Sequence, residues 1–380
     1  MTPTSPPVIT ETGSPEGVIE LSLERLREQL PSSWSVALEP EPTPSEIGWR
    51  PDAVIILSTP TSQKPTRLVV ECKSDITPRV AADAASQLDA YLSRVPDAVG
   101  VVVAPWGSRR TREVLKDSGI GFIDPTGNID LIVEEPGLVI RVPGAEKNPT
   151  GRPPTTPNLR GPKAWALMKT LIEVKPPYGV RELAAAVGTD PGYTSRVIRA
   201  LEDEMLLFRT KRGPINEVNW TALLTRLTST YTLLDSNGTS TWISRTSIRG
   251  LPAKLVGLHL QTRWAITGSI AANLIAAVAA PAKAVIYADD PSEIAETLNL
   301  LPTDSGADVV LAQPYGAAAM ARSWRTEGAS YVSVAQLAAD CLSGMGRMPA
   351  EGEALVKWMT TDENRWRASS FDEVVSPVGR

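Results

Sequence analysis

The sequence predicts an α/β protein of several domains: a mixed sheet with helices on both faces, then a helix-turn-helix unit with a β-hairpin, then a smaller α/β region. Three observations predict it. Short β-branched runs alternate with amphipathic stretches over residues 18–142. A proline-rich stretch, PGAEKNPTGRPPTTPNLRGP (143–162), then breaks the pattern and reads as an extended linker. The charge reverses across it: the first 46 residues hold eight acids against Arg25 and Arg27, whereas 160–215 hold ten Lys/Arg against six Asp/Glu. A chain of 380 residues has room for two or three domains of about 100–200 residues each.

Residues 1–17 are rich in Pro, Thr, Ser and Glu and are expected to be disordered. Ile19, Leu23, Leu26 and Leu30 recur at helical spacing, which predicts a helix over about 18–30 that Pro31 stops. WSVALEP (34–40) alternates like a strand. DAVIILS (52–58), RLVVECKS (67–74) and VGVVVAP (99–105) are nearly continuous in hydrophobicity, as central strands are. Thr77-Pro78, in the order N-cap then N1, opens a helix to about 94, and Ser108 opens another to about 117. GFID (121–124), NIDLIVEE (128–135) and LVIRV (138–142) complete the sheet.

Beyond the linker, helices are expected over about 163–174, 179–188 and 191–204, then a hairpin over 208–220 turning at Arg212-Gly213-Pro214. Residues 221–360 form the third, α/β region. It comprises a helix over 221–234, a strand–helix over 264–278, a strand at 283–289, a helix at 291–299, a strand at 307–313, and helices from about Ser333 and Ala350. Residues 361–380 read as a tail.

Composition removes several function classes. The net charge of −5 excludes a basic nucleic-acid coat, so any DNA contact must come from local patches. Only Cys72 and Cys341 are present, far apart, which argues for a reducing, cytoplasmic compartment rather than a disulfide scaffold. His259 is the lone histidine, so a histidine-rich zinc site is excluded and a Ser-His-Asp hydrolase would rest on this one residue. The start lacks the charged and apolar regions of a signal peptide. The Ala-rich run 271–288 carries Asn273, Pro281 and Lys283 and is not a membrane span.

One constellation carries chemistry. Pro51-Asp52 begins a strand, Glu71-Cys72-Lys73 ends the next, and Gln87 and Tyr91 lie one turn apart on the following helix. Glu71 and Lys73, two apart on a strand, point to one face. Carboxylates on adjacent strand ends suit a hard cation with oxygen ligands, Mg²⁺ or Mn²⁺, and a lysine beside them can hold attacking water. The set resembles the PD-(D/E)xK, or restriction-endonuclease-like, nuclease superfamily over about 20–142. The resemblance implies Asp52, Glu71, Lys73, Gln87 and Tyr91 as catalytic residues. It implies Asp52, Glu71 and the Cys72 carbonyl as metal ligands, with an acid from the first helix, Glu24 before Glu20, as a further candidate. Gly119-Ile120-Gly121 and Gly127-Asn128 read as tight turns flanking a strand rather than as a phosphate loop. Gly268-Ser269 would suit a nucleotidyltransferase, but Asp289-Asp290 are adjacent and point to opposite faces of a strand.

Residues 163–220 look like a winged helix. Its recognition helix presents Tyr193, Thr194, Ser195, Arg196 and Arg199 to DNA, and Arg209, Lys211 and Arg212 sit at the wing. With WAITGSIAA (264–272) and KAVIYADD (283–290), residues 160–360 resemble the AbiEi antitoxin and transcriptional regulators of type IV toxin–antitoxin systems. GIGFIDPTGNIDL (119–131) is a segment shared with relatives that fuse such a regulator to a nuclease-like part. The order departs from a simple antitoxin, since about 150 residues precede the winged helix. Two readings follow: a Mg²⁺-dependent deoxyribonuclease targeted by its winged helix, in defence or mobile-element biology, or a non-catalytic regulator that needs no cofactor. Double-stranded DNA is the expected partner. A cognate toxin or defence protein and a second copy are further candidates, and no membrane is expected.

Overall fold

The computed structural model describes residues 14–39, 50–60, 62, 64–95, 97–149, 159–210 and 213–378. It is a mixed α/β protein whose chain divides into two compact units. The first is formed by residues up to 155, and the second by the residues after it apart from Glu202–Met205.

In the first unit the elements are α1 (Pro15–Glu28), β1 (Ser35–Leu38), β2 (Ala53–Ser58), β3 (Thr66–Cys72), α2 (Pro78–Leu92), β4 (Ala98–Val103), α3 (Arg109–Asp117), β5 (Gly121–Ile123), β6 (Ile129–Val133) and β7 (Leu138–Val142). All seven strands pair in chain order in one sheet. β3, β4 and β5 run parallel and the other neighbours antiparallel. The parallel steps require crossovers, and α2 and α3 supply them. Alternation along β3 sorts the two cores. Leu68 and Val70 pack with Val18, Ile19, Leu23 and Leu26 of α1 on one face. Val69 packs with Ala84 and Leu88 of α2 and Leu115 of α3 on the other. Burying each such aliphatic side chain is worth about 1.5–3 kcal/mol, which is why β3 reads as continuous hydrophobicity.

Two boundaries differ from the expectation. α1 starts at Pro15, because Ser14 accepts the Gly17 N–H and Pro15 takes the first turn, so 14–17 are ordered helix. Residues 1–13 lie outside the described residues. The start of the proline-rich linker belongs to the first unit: Ala145 O accepts from Trp106 Nε1 (2.8 Å), and Gly144 N donates to Asn128 Oδ1 (2.9 Å). Residues 150–158 are not described.

The second unit opens with α4 (Pro162–Glu173), α5 (Val180–Val187), α6 (Pro191–Asp203) and the hairpin β8 (Leu207–Arg209) and β9 (Ile215–Val218). Then come α7 (Trp220–Thr228), α8 (Leu233–Ser236), β10 (Gly238–Ile243), α9 (Leu251–Val256), β11 (Trp264–Thr267), α10 (Gly268–Asn273), β12 (Ala284–Ala288) and α11 (Pro291–Thr297). β13 (Leu301–Pro302), β14 (Val309–Gln313), β15 (Trp324–Thr326), β16 (Ala329–Tyr331), α12 (Val334–Leu342) and α13 (Met348–Thr361) complete it. Its sheet has the order β13-β10-β14-β12-β11-β16-β15.

The expected separation at residue 220 is absent. Trp165, Leu171, Leu201 and Leu224 share one core with Val334, Ala338, Met359 and Trp366. The expected tail is part of the same body. Arg367, 5 % exposed, donates from Nε to Ile172 O (2.9 Å) and from Nη2 to Val174 O (3.1 Å), satisfying carbonyls that end α4. Trp220 and Trp366 meet edge to face at 4.9 Å. A buried ionic group ties the same elements: Glu173 pairs with Lys169 (2.5 Å) and Arg322 (2.9 Å) and accepts from the Ser333 hydroxyl. Beside it Asp340, wholly buried, accepts from Tyr231 (2.7 Å), Tyr287 (3.0 Å), Gln336 (2.8 Å) and Thr267 (2.7 Å). Burial raises its carboxyl to about 6, against the four hydrogen bonds that favour the anion.

Candidate functional site

The parallel run of β3, β4 and β5 puts their C-terminal ends along one edge of the first sheet. Glu71 ends β3 there, 5 % exposed, on the face that Val69 shares with α2. Lys73 follows, its ammonium on Glu71 Oε1 and its own N–H on Val103 O (2.9 Å). Asp52 precedes β2, which lies antiparallel beside β3. Its N–H donates to Val70 O (3.0 Å), and its Oδ2 accepts the Cys72 N–H (2.7 Å). Asp52, Glu71 and Lys73 therefore meet at one strand end.

The charges act on one another. Burial raises the Glu71 carboxyl and Asp52 raises it further, while Lys73 opposes both. The Cys72 thiol is pushed up to about 12 by burial, then by Asp52 and Glu71. That removes it as a nucleophile at neutral pH. The carboxylate pair is the kind of oxygen-donor set that a hard dication relieves of its mutual repulsion. Among the described residues no group of three or more His, Cys, Asp or Glu side chains is gathered for a metal.

The remaining expectations fare differently. Glu20 and Glu24 are exposed on α1. The first-helix acid whose charge reaches the strand end is Glu16, which raises the Cys72 thiol, and Pro15 O lies 3.8 Å from Cys72 Sγ. The first turn of α1 lies at the C-terminal end of β3, and Glu24 sits about 12 Å from Glu16 along the helix axis. Two early signals, Ser14 and Pro15, could have located that turn. Gln87 and Tyr91 lie on α2, the helix that packs on β3 and β4. Gln87 is exposed, and Tyr91, 8 % exposed, packs in the α2-side core.

In the second unit Ser195, Arg196 and Arg199 are exposed on one face of α6, and Tyr193 is half-buried beside Arg196. Thr194 corrects the expectation. It is wholly buried, its hydroxyl held by Asp190 O (3.0 Å) and Thr189 Oγ1 (2.8 Å), because a short β-branched side chain there closes the first turn of the helix. Arg160, Lys163, Tyr193 and Arg196 line a cleft of about 550 Å³, with Asp190 as the single acid. Arg209 is half-exposed on β8, and Lys211 and Arg212 lie outside the described residues. The nucleotidyltransferase-like turn is committed to structure: Ser269 Oγ donates to Glu351 Oε2 (2.6 Å), Asp289 pairs with Arg263 (2.7 Å), and Asp290 caps α11. Among the described residues no helix is long and apolar enough to cross a membrane. The chain matches no protein-family profile, no curated protein and no solved structure.

Proposed function

We propose that the first unit is a PD-(D/E)xK-type deoxyribonuclease domain and that α4–α6 with the β8–β9 hairpin form a winged helix that delivers it to double-stranded DNA. The observation that carries the proposal is the meeting of Asp52, Glu71 and Lys73 at one strand end. Asp52 and Glu71 would hold Mg²⁺ or Mn²⁺, which when bound supplies charge stabilisation at the scissile phosphate and lowers the pKa of water. Lys73, as an ammonium, orients the attacking water by donating to its oxygen and offsets the charge that develops on the phosphate. The Cys72 N–H on Asp52 Oδ2 holds that carboxylate at its post. Arg196 and Arg199, exposed on α6, suit phosphate and major-groove contacts. The unpaired thiols of Cys72 and Cys341 fit a reducing, cytoplasmic setting.

The test is plasmid DNA incubated with the protein in Mg²⁺ or Mn²⁺, with and without EDTA. Cleavage should require the metal and should vanish in Lys73→Ala and in Asp52→Asn, while duplex binding persists in both variants. Intact linear, supercoiled and single-stranded DNA across both metal titrations would sink the nuclease reading. A second reading, an AbiEi-like operator-binding regulator or antitoxin with a toxin as partner, draws support from the closed Lys73–Glu71 ion pair, which already neutralises half of the carboxylate charge. In that case duplex binding would survive with no cleavage under any metal.

A further inference from the structure

The sheet edge that carries Glu71 and Lys73 continues past β4 and β5 into a basic, aromatic rim. β4 ends at Val103, and five residues later Ser108 caps α3, whose first four residues include Arg109, Arg110 and Arg112. Three guanidinium groups thus crowd the positive end of a helix dipole, an arrangement that costs stability unless an anion arrives. Among the described residues Glu113 is their single ionic partner, at 3.0 Å from Arg109 Nε and 3.8 Å from Arg110 Nη1. Arg112 instead donates from Nη1 to Asn128 Oδ1 (2.7 Å). The Nε–H groups of Arg110 and Arg112 are shielded and have no acceptor among the described residues. A shielded donor without a partner marks a missing one.

Beside these arginines stands Trp106, half-buried, in the loop between β4 and α3. Its position is fixed from three sides. Its Nε1 donates to Ala145 O (2.8 Å). The next residue, Gly107, lies so close to Phe122 that an added Cβ would meet the ring at 2.6 Å, and its N–H points to Asp124 Oδ2 (3.4 Å). Asp124 is wholly buried and accepts from Thr126 N (2.9 Å), Thr126 Oγ1 (2.6 Å), Asn128 N (3.1 Å) and Asn128 Nδ2 (2.9 Å). The segment GIGFIDPTGN is therefore scaffolding. Asp124 and Asn128 position Trp106 and Arg112, which gives the motif a purpose that the carboxylate–lysine cluster does not.

We infer that this rim is a single-strand-binding subsite, with the phosphates of a nucleic-acid strand against Arg109, Arg110 and Arg112 and an unpaired base stacked on Trp106. Only an unpaired base offers its ring face to an indole; paired bases in a duplex are already stacked. The inference rests on the proposed nuclease reading for one point, that the bound strand leads towards Glu71 and Lys73 along the same edge.

The test is fluorescence anisotropy of a labelled oligothymidylate and of a labelled duplex with the full chain in EDTA. The wild type should bind the single strand. Trp106→Ala and Arg110→Glu should each weaken that binding roughly tenfold or more, the scale of one stacked base, and leave duplex affinity unchanged. Trp106→Phe keeps a ring without the Ala145 bond and should retain most of the affinity. The inference is overturned by a wild type that ignores the single strand, by folded Trp106→Ala and Arg110→Glu variants that bind it normally, or by Trp106→Phe failing as fully as Trp106→Ala. Arg196→Ala abolishing single-strand binding would also overturn it. Single-strand binding with these dependences, in a protein that cleaves nothing in Mg²⁺ or Mn²⁺, would uphold the subsite and reject the nuclease.

Discussion

Replacing Asp340 by Asn should remove a pH dependence that the second unit builds into its core. The carboxyl is wholly buried and held at about 6, against an ordinary 3.8. A raised folded-state value means that folding favours the protonated form. Its stability contribution is therefore fully present below the unfolded pKa and lost as pH rises through the folded one. Between pH 4 and about 6.5 the wild type should lose about 2 kcal/mol through this group, most of the full shift at 1.36 kcal/mol per unit. Asn keeps the acceptor that serves Tyr231, Tyr287 and Gln336, and the Thr267 hydroxyl can turn to accept from the amide. The substitution thus removes the charge and spares the network. Urea unfolding followed by tryptophan fluorescence reads the right part of the molecule, since seven of the ten tryptophans lie in the second unit. The difference between wild type and variant cancels the other carboxylates. Parallel stability curves for the two proteins across pH 4–6.5 would refute the reasoning.

Three further outcomes are expected. Arg196→Ala and Arg199→Ala, both exposed on α6, should weaken duplex binding, and each should lower the slope of log affinity against log salt by about one; unchanged titrations would move the interface elsewhere. Glu173→Ala leaves Lys169 and Arg322 without their buried partner and should cost about 3–5 kcal/mol in urea unfolding of the second unit, with Glu173→Gln milder. Gly144→Ala would place a Cβ 2.4 Å from Asn128 N and 2.6 Å from Thr126 O, so it should destabilise the first unit by about 3 kcal/mol in the same assay, with no φ penalty to confuse the cause.

The first unit was legible almost element by element. Its central strands β2–β5 are apolar runs largely buried on both faces, and Thr77-Pro78 and Ser108 cap the helices they announce. The second sheet was less legible at its edges. β10, GTSTWI, is polar and half-exposed, so neither alternation nor a continuous apolar run marks it. β15 and β16 have three residues each, too few for periodicity. The helix expected over 221–234 stops at Thr228 and restarts at Leu233, as Thr232 caps a new turn on Asp235 N. At the candidate site, Asp52, Glu71 and Lys73 were readable because strand alternation fixes their faces. Glu16 was not, because its role depends on where α1 crosses the sheet, a tertiary fact. Thr194 looked like a surface hydroxyl until its bonds to Asp190 and Thr189 were seen.

The core that α4–α6 share with α12, α13 and the segment around Trp366 has a practical consequence for dissecting the chain. A fragment cut at residue 220 would look complete on paper, with three helices and a hairpin. It would also strip the cover from Trp165, Leu171 and Leu201 and leave the α4 carbonyls without Arg367. Such a piece would collapse or associate through its bared side, and any binding measured on it would report on that failure instead of on α6. Deletion mapping is thus a poor instrument for this half of the protein, and point substitutions in the intact chain are the informative route. The same wiring sets the unit of inheritance: α4–α6 and the β8–β9 hairpin cannot be traded between proteins unless some 200 residues travel with them.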